Sequence, residues 1–284
     1  MRILVTGGSG FIGKHVVTLA SEIGHEVETY DRHQGLDVMD KATLQGAVDR
    51  NDAVIHLAGI LGTTETFDTM ERTLRVNING ALNVFEAALA GDKRVVYLGT
   101  KVCNWYNPYL ISKRCSAELA LMYAQYKGLR INVVRAMNVY GPGQHWGRVN
   151  KAVPTFIVNA IKGDDLVIYG NGQQVVDLIH TSDMANIIML LLEGDQVGLS
   201  VEAGTGTPTT VMAMAEMIHE MVGSKSCITF DPMRIGEPDH SHTLADTSVL
   251  NGELNYWPSV GLERGMRETV EWYKQHYLEV EDNG

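Results

Sequence analysis

The chain has 284 residues, a formal net charge of −11 and 45% hydrophobic residues, enough interior for one large core or two modest ones without help from metals or disulfides. No basic run offsets the acidity, which excludes a general nucleic-acid or anionic-membrane surface and leaves room only for a local basic pocket. Cys103, Cys115 and Cys227 are widely separated and show no C-x-x-C pairing; they read as reduced, buried thiols rather than a disulfide framework.

The N-terminus enters a strand-like run, RILVTG at 2–7, without the apolar segment and cleavage site of a secretory signal. The longest apolar stretch, IIMLLL at 187–192, is far too short to span a bilayer. The expectation is a soluble, cytoplasmic protein.

TGGSGFIG follows that first strand at 6–13 and places glycines at 7, 8, 10 and 13. Lacking side chains, Gly7 and Gly10 let the backbone turn and approach a pyrophosphate, and Gly13 lets the following helix pack close to the sheet. The helix start presents free N–H groups and the positive end of its dipole to an anion. A second strand, EVETYD, ends at Asp31, 18 residues beyond Gly13, near the ~20 expected of an acid that accepts from ribose hydroxyls. Asp31 would repel a 2′-phosphate, so NAD is favoured over NADP; Arg32 next to it either stacks on adenine or tolerates the extra phosphate. Asp37 in GLDVMD is a turn residue or reaches the adenine edge, with Val38 offering a backbone group beside it.

Further apolar runs follow at 53–59 (AVIHLAG), 94–100 (RVVYLGT) and 131–141 (INVVRAMNVYG), separated by helical segments such as NINGALNVFEAALAG and SKRCSAELALMYAQYKG. Apolar strands alternating with helices indicate a parallel sheet covered on both faces. The predicted fold is α/β: a Rossmann-type doubly wound sheet over 1–140 plus roughly 175–205. A smaller, less regular substrate domain is expected over roughly 141–174 plus 206–284, with helices at 153–162, 183–193, 209–222 and 263–277. In NPYLISK, Tyr109 and Lys113 stand four apart and share one helix face.

TGGSGFIG, Asp31, HLAG at 56–59, VNINGALNVFEA at 76–87, YLISK at 109–113, RAMNVYGPGQ at 135–144 and VDLIHTSDMA at 176–185 occur in one order, followed by RIGEP at 234–238 and LADTS at 244–248. In these motifs the chain resembles the extended short-chain dehydrogenase/reductase family, and within it the NAD-dependent nucleotide-sugar epimerases and dehydratases. The resemblance runs nearly end to end.

It implies NAD held by Gly7, Gly10, Phe11, Ile12, Gly13, Asp31, Arg32, Asp37 and Val38, with Leu57, Ala58 and Gly59 of HLAG along the cofactor. It implies Tyr109 as acid/base, its pKa drawn down from ~10 by Lys113 and the positive nicotinamide ring, and Lys113 on the nicotinamide ribose. Thr100 would hydrogen-bond the reacting sugar hydroxyl, and a transient 4-keto sugar would form. Asn138 would contact the sugar diphosphate and Arg234 clamp it bidentately; the bland alternatives are a turn-capping amide and a surface cation. Family members pair through two helices per subunit, here 70–90 and the helix starting near Tyr109, with Leu119, Met122 and Tyr123 as seam or core.

Two departures bear on the reaction. Val176 stands where many sugar epimerases carry an arginine, a contact that Arg148 or Lys151 would then supply. Only nine positions separate Thr100 from Tyr109, less than half the usual interval, so a loop beside the sugar is missing. Retaining 4,6-dehydratases carry Thr-Asp-Glu here, whereas this chain has Thr100, Lys101 and Val102. Lys101 matches the lysine of inverting 4,6-dehydratases; it acts at C5 or is simply a solvated strand-end cation. Glu65, in GILGTTETFD, supplies a missing carboxylate or marks a helix N-terminus. His56 reads as strand-end packing. His240 and His242 lack a third ligand, and no metal is required.

The first expectation is therefore a nucleotide-sugar 4-epimerase and the second a 4,6- or 5,6-dehydratase using Lys101 or Glu65. Behind them stands a non-catalytic NAD(P) sensor, disfavoured by the intact Thr100, Tyr109 and Lys113. A net ketoreductase would need exchangeable NADPH, which Asp31 disfavours.

Overall fold

The computed structural model describes residues 1–101, 105–147, 149–238 and 240–281. Strand β1 (Arg2–Thr6) leads through the glycine-rich turn into helix α1 (Phe11–Glu22), β2 (Glu26–Tyr30) and α2 (Lys41–Arg50). The Asp40 carboxylate caps α2 by accepting from the N–H groups of Ala42 and Thr43. β3 (Ala53–His56) is followed by α3 (Met70–Leu74), a π-helical turn (Arg75–Asn79) and α4 (Gly80–Ala90), then β4 (Arg94–Thr100), α5 (Pro108–Met122) and β5 (Ile131–Ala136). Asn107 caps α5 through Leu110 N–H, and Pro108 occupies its first turn, where the missing N–H costs nothing.

These strands form a six-stranded sheet in the order β2-β1-β3-β4-β5-β9, every pairing parallel. The last member, β9 (Ser200–Ala203), returns from the second half of the chain. Successive side chains alternate between two cores. Ile3, Val5, Ile55 and Val96 pack under α1 and α7 (Thr181–Glu193), while Leu4, Val54, Val95 and Tyr97 pack under α2, α4 and α5. The order reverses between β1 and β3, so a crevice opens beyond their carboxyl ends, where ligands bind in open α/β sheets. Thr6 and His56 close the floor of that crevice through a 2.6 Å contact between Thr6 Oγ1 and His56 Nδ1.

The second half builds two small sheets around a third core. β6 (Asn138–Tyr140) and β10 (Pro208–Thr210) flank β8 (Val175–His180), and β7 (Leu166–Tyr169) pairs with β11 (Ile228–Asp231). Helices α6 (Ala152–Lys162), α8 (Val211–Val222) and α10 (Leu262–Glu281) cover them, with Phe156, Ile157, Ile218 and Tyr273 inside; α9 (Ser248–Glu253) lies near β9. These helices fall within two or three residues of the expected bounds, except that α10 runs to Glu281.

Two fully buried aspartates tie these segments together. Asp177 accepts from Thr205 N–H and Oγ1, Gly206 N–H and Ala245 N–H. Asp183 accepts from Tyr256 Oη, Ser259 N–H and Oγ, and Val260 N–H. With four donors each, these carboxylates are spent on structure.

Candidate active site

The glycine-rich turn is tight enough to exclude side chains. Gly7 sits at φ +73°, and a Cβ there would lie 2.8 Å from Ala58 N. A Cβ on Gly13 would lie 2.2 Å from Gly7 O. The first contact brings the turn after β1 against the HLAG segment after β3, leaving the α1 N-terminus facing the crevice. Among the described residues no side chain caps that N-terminus, so its free N–H groups remain for an anion. Phe11 and Ile12 open α1, Phe11 standing edge-on to His15 and Ile12 packed against the core.

Asp31 lies beside this turn at the end of β2. Its Oδ2 accepts from Ser9 N–H at 3.2 Å and its Oδ1 from His33 N–H at 3.1 Å. Each oxygen keeps lone-pair capacity for a ribose hydroxyl. Arg32 beside it is exposed. Asp37 uses Oδ1 in a local turn, accepting from Met39 N–H. Val38 is buried, and its carbonyl is held by Asn83 Nδ2 at 3.0 Å. The turn thus combines a Cβ-free cradle, an uncapped helix start and a carboxylate with spare acceptor capacity.

Across the crevice, α5 carries Tyr109 and Lys113. Lys113 is 5% exposed, and its Nζ lies 4.0 Å from the position a Cβ on Gly59 would take, which puts the ammonium at the HLAG edge. Burial pushes Lys113 down to about 7 and the Tyr109 phenol up to about 12. Lys113 does not offset the burial of the phenol. Desolvation favours the neutral form of both groups, so a positive charge must enter with the ligand before a phenolate is accessible near neutral pH. His56 beneath them is pushed down to about 3, chiefly by burial and then by Lys113, and is neutral.

Thr100 ends β4 and Lys101 follows it, both buried, with Lys101 Nζ 4.4 Å from the centre of the Trp105 ring. Lys101 is not the solvated strand-end cation of the bland alternative. Val102 and Cys103 lie outside the described residues, as does Arg148. Two other segments meet near Asn107, at the start of α5. Asn107 Nδ2 donates to Gly236 O at 3.2 Å, Thr64 Oγ1 donates to Ile235 O at 3.2 Å, and Gly236, at φ +82°, leaves no room for a Cβ against Phe67.

Glu65 does not mark a helix start, since α3 begins at Met70. Its Oε1 accepts from Asn150 N–H at 3.0 Å, which directs the carboxylate toward the second half of the chain. Lys151 is held below the usual lysine range, by burial first and by Arg234, against the opposing pull of Glu65 and Glu237. Arg234 donates from Nη1 to Asn150 O and from Nη2 to Glu237, lies over the Tyr169 ring, and leaves its buried Nε without a partner. Asn138 Nδ2 donates to Asp177 O at 3.2 Å.

Asn77 was not singled out in the sequence, although it lies in a quoted motif. From the π-turn its side chain accepts from Ile60 N–H and donates to Ile60 O and Ser112 Oγ. It clamps the segment after β3 to α5, fixing Gly59 against Lys113. An asparagine among apolar residues of a predicted helix was the available signal.

Residues 3–204 match the sequence profile of the NAD dependent epimerase/dehydratase family. The UDP-N-acetyl-alpha-D-glucosaminuronate decarboxylase of Bacillus cytotoxicus is 28% identical, over 96% of this chain and 98% of its own. A dTDP-glucose 4,6-dehydratase of an Actinoplanes species is 29% identical, over 96% and 98%. The Thermus thermophilus UDP-glucose 4-epimerase, solved in complex with NAD, superposes with a TM-score of 0.86 at 26% identity, covering 96% of this chain and 99% of that one.

Proposed function

The chain belongs to the NAD-dependent epimerase/dehydratase family, and on that premise we propose that it oxidises C4 of a nucleotide-diphosphate sugar transiently and releases the 4-epimer. The observation that carries the proposal is the placement of Tyr109 and Lys113 on one face of α5, with Lys113 against Gly59 at the crevice beside the glycine-rich turn.

Gly7 to Gly13 and the start of α1 hold the pyrophosphate of the dinucleotide, Asp31 its adenosine ribose, and Lys113 its second ribose. When bound, NAD supplies a hydride acceptor and donor at C4 and a positive ring near the phenol. Tyr109 takes the proton of the C4 hydroxyl and later returns it, and Thr100 orients that hydroxyl by a hydrogen bond. Arg234 and Asn138 receive the diphosphate, Arg234 exchanging Glu237 for phosphate oxygens, with Lys151 or Arg148 in the place of the arginine that Val176 replaces.

The carboxylates near the site support epimerisation over elimination. Glu65 is engaged with Asn150 and Lys151, and Thr100 is followed by Lys101 rather than by an acidic pair. A 4,6- or 5,6-dehydratase is the second reading, supported by the burial of Lys101 beside Thr100 and by the dehydratase among the relatives. Decarboxylation shares the same first step, because a C4 ketone turns a C6 acid into a β-keto acid that can lose carbon dioxide.

Incubation of the NAD-loaded protein with a panel of UDP-, dTDP- and GDP-sugars separates these outcomes. An epimer of unchanged mass is expected. Loss of water or of carbon dioxide would replace the epimerase reading, and inertness across the panel with NAD bound would favour a sensor.

We also propose a homodimer through α3, α4 and α5. Met70 of α3 and Ile111 and Met122 of α5 are 45%, 39% and 38% exposed, apolar surface that pairing of these helices would bury. Tyr123, a seam candidate by sequence, is instead buried, its hydroxyl bonded to Glu86, and Leu119 packs against the core.

A further inference from the structure

We propose that Tyr97 is a positioning residue: the face of its ring holds the Lys113 ammonium in a site that offers it no carboxylate. The proposal rests on the assignment of Tyr109 and Lys113 as the working pair and adds what keeps the second of them in place.

Tyr97 lies in β4 with no exposed surface, and Lys113 Nζ stands 4.4 Å from the centre of its ring. Among the described residues Lys113 Nζ makes no ion pair or hydrogen bond. The ring is fixed from both sides. Phe85 of α4 meets it edge-on at 5.6 Å, and His56 of β3 lies tilted at 5.6 Å.

The titratable and charged groups around this contact give the ammonium no counter-charge near neutral pH. His56 from β3 is neutral, and Tyr109 from α5 is a neutral phenol in the unliganded chain. Burial also pushes the Tyr97 phenol up, opposed by the Ser116 side chain and Arg135, with Tyr109 and Cys115 adding to the shift. Arg135 of β5 is itself paired with Glu118. The negative face of an aromatic ring is then what remains to favour the charged form, and such a contact gains strength when desolvated.

The phenol oxygen is not what Lys113 uses. Tyr97 Oη is buried, with the Ser116 side chain beside it and no partner at full hydrogen-bond geometry, so a phenylalanine would present the same face at little cost in hydrogen bonding. Side-chain ring and hydroxyl can therefore be separated.

The test is a titration of Lys113 in cofactor-free protein carrying 13C at the lysine ε-carbons, with the signal assigned by its loss in Lys113→Met. Tyr97→Phe should leave the Lys113 midpoint in place. Tyr97→Leu, or pentafluorophenylalanine at 97, should lower its proton affinity roughly tenfold, with intermediate fluorination falling between. The fluorinated series keeps the ring's shape and decides the matter if Tyr97→Leu does not fold. An unchanged midpoint across the series would overturn the proposal. Because the titration needs neither cofactor nor substrate, its failure is distinct from failure of the catalytic assignment, which absence of turnover by the wild-type protein would show.

Discussion

Glu65 Oε1 accepts a hydrogen bond from the backbone N–H of Asn150 at 3.0 Å. Eighty-five residues separate the two in the chain, and the bond joins the segment after β3 to the start of α6, beside Lys151 and Arg234. Glu65 thus ties the segment after β3 to the stretch that carries Lys151 and lies beside Arg234.

Glu65→Ala should therefore act on substrate binding. A hydrogen bond to a charged group contributes about 1.5–3 kcal/mol, so KM for the nucleotide sugar should rise about tenfold or more, with kcat reduced much less. Steady-state kinetics over a range of sugar concentrations checks this. A large fall in kcat at unchanged KM would instead place Glu65 among the proton-transfer groups.

Asp31 should govern cofactor affinity and choice. Removing its carboxylate in Asp31→Ala takes away the acceptors for two ribose hydroxyls and should weaken NAD binding about ten- to a hundredfold. Discrimination against NADP should shrink at the same time, because the repulsion of a 2′-phosphate goes with the charge. Calorimetric titration with both dinucleotides provides the measurement; undiminished NAD affinity would remove Asp31 from the site.

Lys113 should leave a mark on stability against pH. Its pKa falls from 10.5 to about 7 on folding, so between these values the unfolded chain binds the proton and the folded chain does not. Stability then rises with pH across that window, and the cost of burying the charge is felt in full below it. The shift is worth on the order of 5 kcal/mol. Lys113→Met should be more stable than wild type near pH 7, with the difference shrinking toward about pH 10. Urea midpoints of cofactor-free protein at several pH values test this. Tyr109, raised to about 12, acts in the opposite sense and only at higher pH. A pH-independent difference between the two proteins would contradict the linkage.

The parts of the site written in short motifs were legible from the sequence because their chemistry is local. Gly7 and Gly13 are required by contacts a Cβ cannot survive, Asp31 ends a strand at the distance a dinucleotide spans, and Tyr109 and Lys113 share a face through helix geometry alone. What stayed hidden depends on segments far apart in the chain. The orientation of Glu65 follows from where Asn150 comes to rest, and the segment meeting Asn107 at the start of α5 is set by Gly236 packing against Phe67. Asn77 was obscured by a π-turn, which no periodicity announces. The seat of Lys113 on Tyr97 brings together a strand and a helix whose alternation and heptad patterns say only that both face inward. The burial that raises the Tyr109 phenol stayed hidden for a related reason, since desolvation is a property of the assembled core.

The most direct test of the account compares Tyr109→Phe with wild type for turnover of an accepted nucleotide sugar, with NAD affinity measured on the same preparations. The variant should bind NAD within about twofold of wild type, since the phenol oxygen contributes little to uniform binding, while turnover falls at least about a thousandfold, within the range for loss of a general acid–base group. Turnover within about tenfold of wild type, at unchanged NAD affinity, would contradict the assignment of Tyr109 as the proton-transfer group.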